Sequence, residues 1–406
     1  MGVNLGKGRT NRVWKDGRAS MFDNQEDLEL FRESIMKFLD HDCTVENIGR
    51  WEAEDKIPRS VLAGMGELGI LGLTVPEEYG GLGIDVSTMC VVMEELAARW
   101  SGLASLYNMS VGYGSLNMVY KGTEEQKQRF LPSLVRGETL FAYGLSEPEV
   151  GGDLASVKTR AERRGDKVVI NGAKRWISGA NLGDYMLTLL RSGDADQRYR
   201  NLSFVIIPLD APGVSWNVTR CMGMHGVPTS DVHLDNVEVD ADMILGGDDA
   251  WNNGWSMLAG PSLEIEKLAP TFIALGIAKA AVAEAWQYSQ ERVQFGKAIC
   301  THQAVRHVLS DVQTKLKAAR LMAYDAAAKV NASEPSAIDT CMAKLFVSET
   351  AKEIVLSCQQ YVMGAYGYAE GFQMERYVRD VLAVPIYGGS SAIQRNNIAS
   401  LMKLPR

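Results

Sequence analysis

The stretch FAYGLSEPEVGGDLASVKTRAE, residues 141–162, marks a change of hydrophobic period, and the rest of the chain sorts on either side of it. Before it, LELFRESIMKFLDH, SVLAGMGELGI and MCVVMEELAARW carry apolar residues three and four apart, the spacing of one helix face. After it the period falls to two. LSFVIIPL reads as a buried strand, and DVHLDNVEV sets Val232, Leu234, Val237 and Val239 on one face. The Asn-Gly pair in DKVVINGAKRWISGA predicts a hairpin turn. From Trp251 the helical period returns in long segments such as IALGIAKAAVAEAWQYSQERVQF. The expected fold is α+β and multidomain: an N-terminal arm over 1–23, a helical domain over 24–140, a middle antiparallel β domain over 141–249 and a C-terminal helical bundle over 250–406.

Composition narrows the function. The chain has 406 residues, 46% hydrophobic and 23% charged, an ordinary globular balance. A net charge of -8 argues against nucleic acid or an anionic membrane surface as a partner. The six cysteines are scattered, with no CxxC pair and no Cys/His cluster, so no metal site is expected and a reducing compartment is. No unbroken apolar run reaches the roughly 18 residues of a membrane span. The start, MGVNLGKGRTNRVWKDGRAS, lacks the apolar core of a secretory signal. The expected location is a bacterial cytoplasm, with the mitochondrial matrix as the alternative. Without a GxGxxG after a strand or a Walker sequence, Rossmann and P-loop readings fail.

Four segments carry chemistry. In SEPEVGGD, Ser146, Gly151 and Gly152 offer a hydroxyl and open backbone N–H groups, or merely a turn between domains. In KRWISGA, Trp176 and Ser178 offer a flat face and a donor for a heteroatom-rich ring, or a tryptophan filling a β core. In QERVQFGKAICTHQ, Arg292, Phe295 and Gln303 offer a charge for phosphate, a face for adenine and an amide for its edge. Finally IYGGSSAIQR, residues 386–395, sets Gly388, Gly389, Ser390 and Ser391 in a row, a stretch that makes room for a group held close to the backbone.

In this order, SEPEVGGD, KRWIS, RVQFGK and RD…IYGGSS resemble the signature segments of the acyl-CoA dehydrogenase family of flavoenzymes, over about residues 25–399. The resemblance implies a helical domain, a β domain and a four-helix bundle enclosing FAD in a homotetramer. It also implies an acyl-CoA substrate, an electron-transfer flavoprotein as acceptor and a role in fatty acid metabolism. By the same resemblance Tyr143, Leu145 and Ser146 line the isoalloxazine, Gly151 and Gly152 lie near the pyrophosphate, and Trp176 and Ser178 stand near N5. Arg292, Phe295 and Gln303 hold the ADP half of an FAD bound mainly by a neighbouring subunit. Gln360, Gly364 and Ser390 are further cofactor contacts, and Gly388 and Gly389 flank the thioester.

Removing two hydrogens across Cα–Cβ of a thioester requires a base for the α proton, held in a dry pocket that brings its pKa toward neutrality. Much of the family carries that carboxylate between Tyr387 and Gly389, where this chain has Gly388. The segment PSLEIEKLAP (261–270) resembles the long-chain and isovaleryl-type branches, whose base precedes a basic residue on a long helix. That resemblance makes Glu266 the base, ahead of Lys267, with Glu264 matching the acid that bonds the pantetheine arm. Pro270, four residues on, predicts a kink at Glu266. Gly152 for Ser, Tyr361 for Gln, Ala365 for Gly and Lys267 for Arg imply weakened FAD and CoA contacts. Enoyl-CoA reduction, a carrier-protein thioester and a catalytically silent subunit of a mixed tetramer are the alternatives.

Overall fold

The computed structural model describes residues 25–258 and 261–405; the expected N-terminal arm lies outside them. The chain opens with α1 (Gln25–Asp42), α2 (Val45–Glu54) and α3 (Arg59–Glu67). A short hairpin, β1 (Thr74–Val75) with β2 (Gly83–Ile84), leads into α4 (Val86–Arg99) and α5 (Ser101–Asn108). A π-helical segment, Met109–Leu116, joins α5 to α6 (Asn117–Lys121), and α7 (Glu124–Val135) follows. Each start has a local cause. Asp85 caps α4 by accepting from Thr88 N at 2.9 Å, and Thr123 with Gln126 closes a capping box on α7. The Gln126 amide also donates to the carbonyls of Asp242 and Ile244, both at 2.7 Å, fastening the helical layer to the end of the sheet.

The sheet contains β3 (Phe141–Gly144), β4 (Arg160–Arg164), β5 (Lys167–Ser178), β6 (Tyr185–Arg191), β7 (Leu202–Pro208), β8 (Val214–Thr219) and β9 (Thr229–Asp240). Its order is β3-β6-β4-β5-β9-β8, with β7 on β6. Most pairs are antiparallel, but β3 and β4 both run parallel to β6. The buried strand and the alternating strand appear as expected: six of the seven β7 residues are buried, as are Val232, Leu234, Val237 and Val239.

The Asn-Gly hairpin does not form. Residues 167–178 are one continuous strand, and the turn falls earlier, between Arg164 and Lys167. Gly172 instead serves a close approach: a Cβ there, at φ +144°, would lie 2.7 Å from the Thr159 side chain. Asn171 is drawn away from a turn by pairing with Asn236, whose backbone N–H donates to it at 2.8 Å.

The C-terminal layer comprises α8 (Gly254–Leu258), α9 (Pro261–Glu291), a hairpin of β10 (Val293–Gln294) and β11 (Lys297–Ala298), α10 (Gln303–Asn331), α11 (Ala337–Ser357), a π-helical turn Cys358–Met363, α12 (Gln373–Val381) and α13 (Ser391–Leu401). α9 is the central pillar, packed by α4, α10, α11 and α12. It is long and apolar enough to cross a bilayer by composition, yet 78% of its most apolar window is buried inside the protein. A helix apolar on every side is what such a central position requires. The α4 crossing is close because residue 276 is glycine, where a Cβ would stand 2.4 Å from the Glu94 carbonyl oxygen. Pro270 leaves α9 helical from end to end, so the expected kink does not interrupt it.

Candidate active site

Two segments far apart in sequence meet at Pro270. In the closing loop Gly388 and Gly389 adopt φ +62° and +75°, angles that favour glycine. A Cβ on Gly388 would lie 2.9 Å from Pro270 Cγ, so the proline ring fills the place toward which a side chain at 388 would point. A Cβ on Gly389 would lie 2.5 Å from the Gln394 amide nitrogen, which donates to the Gly389 carbonyl at 3.0 Å. Ser390 ends the loop as the cap of α13, its hydroxyl accepting from Ile393 N. The loop therefore holds no acid, and its geometry leaves little room for one.

The acid stands on α9, one turn before that proline. Glu266 is half-buried, and four side chains lie within reach of its charge: Tyr113, Tyr143, Lys121 and Lys267. Burial pushes its carboxyl up to about 7, against the pull of the two lysines. Burial likewise pushes the Lys121 ammonium down to about 8. Tyr113 comes from the π-helical segment and stacks on Tyr143 at 5.1 Å between centroids; Tyr143 in turn lies parallel to Phe204 at 6.1 Å. The Tyr143 and Tyr387 hydroxyls are buried with no hydrogen-bond partner among the described residues. Glu264 and Lys267 face elsewhere. The Glu264 carboxylate accepts from Thr340 on α11 and from Lys267 at 2.7 Å, and Lys267 Nζ also lies 3.4 Å from Cys341 Sγ.

On the β side a buried ion pair sets the geometry. Lys174, fully buried on β5, reaches Glu147 at 2.8 Å and the Leu145 carbonyl at 3.2 Å; Glu147 also accepts from the backbone of Lys158 and Thr159. Lys174 lowers the Glu147 carboxyl, although burial opposes it. The Ser146 carbonyl accepts from Arg175 N, so Leu145 and Ser146 are pinned beside Trp176 and Ser178. A bulge between Lys174 and Ile177 turns Trp176 out at φ +63°, leaving it 55% exposed with the Arg175 guanidinium 4.8 Å from its ring. The reading of this tryptophan as β-core filler is thereby removed. Gly151 has open space above its backbone, and a Cβ on Gly152 would lie 3.2 Å from Ile393 Cδ1, which brings this loop against the start of α13.

A flat heteroaromatic ring fits this arrangement. The bulge offers an exposed indole face and the Ser178 hydroxyl, and the 151–152 backbone is open to a ligand.

The third segment stands apart. Arg292 lies over the Tyr366 ring at 5.2 Å, Phe295 is 93% exposed at φ +54°, and Gln303 and Gln360 are exposed, with Gly364 at φ +58°. Residue 291 ends the helix that carries Glu266, so the two groups are separated by about 38 Å of helix at 1.5 Å per residue. Sequence reasoning missed Lys121 and Asn117, whose place depends on packing between α6, α9 and β7; the Gly-rich run around Tyr113 was the one local signal for the π-helical segment.

Comparison with known proteins agrees with this architecture along its length. Three family profiles match: the acyl-CoA dehydrogenase N-terminal domain over 25–138, middle domain over 142–237 and C-terminal domain over 252–403. A 3-(aryl)acrylate reductase of Clostridium sporogenes is 37% identical over 350 residues, 85% of this chain and 90% of that protein. The CarC subunit of the caffeyl-CoA reductase-Etf complex of Acetobacterium woodii is 32% identical over 379 residues, 93% of this chain and 98% of that one. Butyryl-CoA dehydrogenase from Megasphaera elsdenii superposes with a TM-score of 0.87 at 28% identity, covering 94% of this chain and 99% of that structure.

Proposed function

The chain belongs to the acyl-CoA dehydrogenase family of flavin-dependent oxidoreductases, and on that premise we propose that it binds FAD and oxidises the Cα–Cβ bond of an acyl-CoA with Glu266 as base. The observation that carries this reading is the reciprocal arrangement at Pro270: the loop position is emptied to glycine, and the carboxylate stands one helical turn away. Bound flavin supplies the hydride acceptor at N5. Everything else falls to the chain.

Glu266 takes the α proton at a carboxylate oxygen. A carboxyl lifted to about 7 is a stronger base than an exposed one, and the two lysines favour its ionised form. The aromatic wall of Tyr113 and Tyr143 keeps that carboxylate out of bulk water, and Lys121 and Lys267 keep it ionisable. The Lys174–Glu147 pair fixes the segment that faces the ring system. The separation between Glu266 and the Arg292–Phe295–Gln303 group supports an FAD shared between subunits of a homo-oligomer, for which we propose a homotetramer, with a partner covering the exposed Phe295.

Anaerobic addition of acyl-CoAs to the flavin-loaded protein tests the reading. At least one bleaches the flavin, and an electron-transfer flavoprotein restores its colour; a panel that leaves the absorbance of the loaded protein unchanged contradicts it. Reduction of an enoyl-CoA is the second reading, favoured because two of the matched relatives are named as reductases, one of them in complex with Etf. In that direction a protonated Glu266 returns the proton to Cα.

A further inference from the structure

The widened π-helical turn does more than carry Tyr113. It leaves the carbonyls of Gly112 and Tyr113 to the Asn117 side chain, whose amide donates to them at 3.2 and 3.1 Å. The remaining acceptor of that amide, Oδ1, receives Lys121 Nζ at 2.6 Å. Lys121 also lies 5.8 Å from the centroid of Phe204, the last ring of the Tyr113–Tyr143–Phe204 wall, and is close enough to Glu266 for their charges to interact. An ammonium has three donors. Among the described residues Asn117 is the one hydrogen-bond acceptor of this ammonium, and no carboxylate pairs with it directly.

A plain alkyl chain against this wall meets neither the remaining donors of the ammonium nor the Tyr143 hydroxyl, which has no partner among the described residues, the arrangement that makes a pocket reject an all-carbon ligand. Tyr113 is the partly exposed end of that stack, a flat ring suits its face, and an oxygen on that ring meets the open donors.

We propose that Lys121, held by Asn117, determines acyl specificity by accepting a planar acyl group that carries an oxygen substituent, a phenolic hydroxyl or a carboxylate. This rests on the acyl-thioester reading above and names the class of substrate for the same pocket.

The test compares the flavin-loaded enzyme on 3-phenylpropionyl-CoA, 3-(4-hydroxyphenyl)propionyl-CoA, 3-(4-carboxyphenyl)propionyl-CoA and hexanoyl-CoA. The readout is the ratio of kcat/KM for an oxygen-bearing ring to that for the unsubstituted ring, which cancels any general effect on the base. The wild type shows a ratio of about ten or more, the size expected where a buried donor goes unmet. Which substituted ring is preferred separates phenol from carboxylate. Lys121→Met brings that ratio to near one and Lys121→Arg keeps most of it. A wild-type ratio near one, hexanoyl-CoA as the best substrate, or an unchanged ratio in Lys121→Met overturns the proposal. Each of those results still shows the flavin reduced, whereas a loaded enzyme that no thioester reduces fails at the earlier reading instead.

Discussion

The closing loop at 386–391 and the first turns of α9 face each other, and they have been built by opposite rules. The loop is made of left-handed glycines and a capping serine, with no titratable side chain between Tyr387 and Arg395. The helix opposite packs Glu264, Glu266 and Lys267 into four consecutive positions and keeps its acids from one another. Glu264 is ion-paired with Lys267 and accepts from the Thr340 hydroxyl, whereas Glu266 makes no ion pair among the described residues and has a carboxyl lifted to about 7. The difference teaches that the basicity of a carboxylate is set by what surrounds it. Two glutamates two residues apart receive opposite treatment because one turns toward α11 and the other toward the aromatic wall.

The sharpest way to break the comparison is to exchange the roles. Glu266→Gln lowers turnover by about 10²–10⁴-fold, the usual contribution of a positioned base, measured by steady-state kinetics at saturating substrate. Adding Gly388→Glu does not rescue it, since a side chain there meets the Pro270 ring. Recovered activity in the double variant would place the catalytic carboxylate back in the loop. Next in size, Lys174→Met strands Glu147 as a buried, unpaired charge and costs about 3–5 kcal/mol, seen as a lower Tm and a lower flavin content on purification. The paired change Lys174→Met with Glu147→Gln recovers part of the loss.

A smaller effect comes from Gly388→Ala, about 1–2 kcal/mol from the positive φ alone, with the Pro270 contact added to it. Pro270→Ala relieves only the contact, so a double-mutant cycle between the two gives a coupling term. Mildest of all is pH. In the oxidative direction Glu266 must be ionised, so kcat/KM rises as pH passes through about 7; in the reductive direction the proton is needed, and the same limb falls. Opposite limbs in the two assays, both turning near the same pH, identify one carboxyl that serves both directions.

Much of this molecule was legible in the sequence. The switch of period at 141 and its return at 251 give the three layers, because amphipathic patterning survives whatever tertiary context surrounds it. The Asn-Gly signal failed for a tertiary reason: Thr159, just ahead of the neighbouring strand β4, leaves no room for a side chain at 172, and the glycine there serves that close approach rather than a turn. The glycine at 388 and the glutamate at 266 were visible as a pair of residues, but the packing that joins them was not. That Pro270 is the residue occupying the emptied space depends on how α9 crosses the loop. Lys121 is the extreme case. As one lysine near the end of a short helix it carries no local signal, and its importance comes from a π-helical turn and one asparagine that aim it.

The most direct measurement is exchange of the α hydrogens of 3-phenylpropionyl-CoA in D2O without an electron acceptor, followed by NMR. The flavin-loaded wild type replaces those hydrogens with deuterium, and Glu266→Gln, with flavin still bound, does not. Equal exchange in the two proteins would mean that a different group takes the proton.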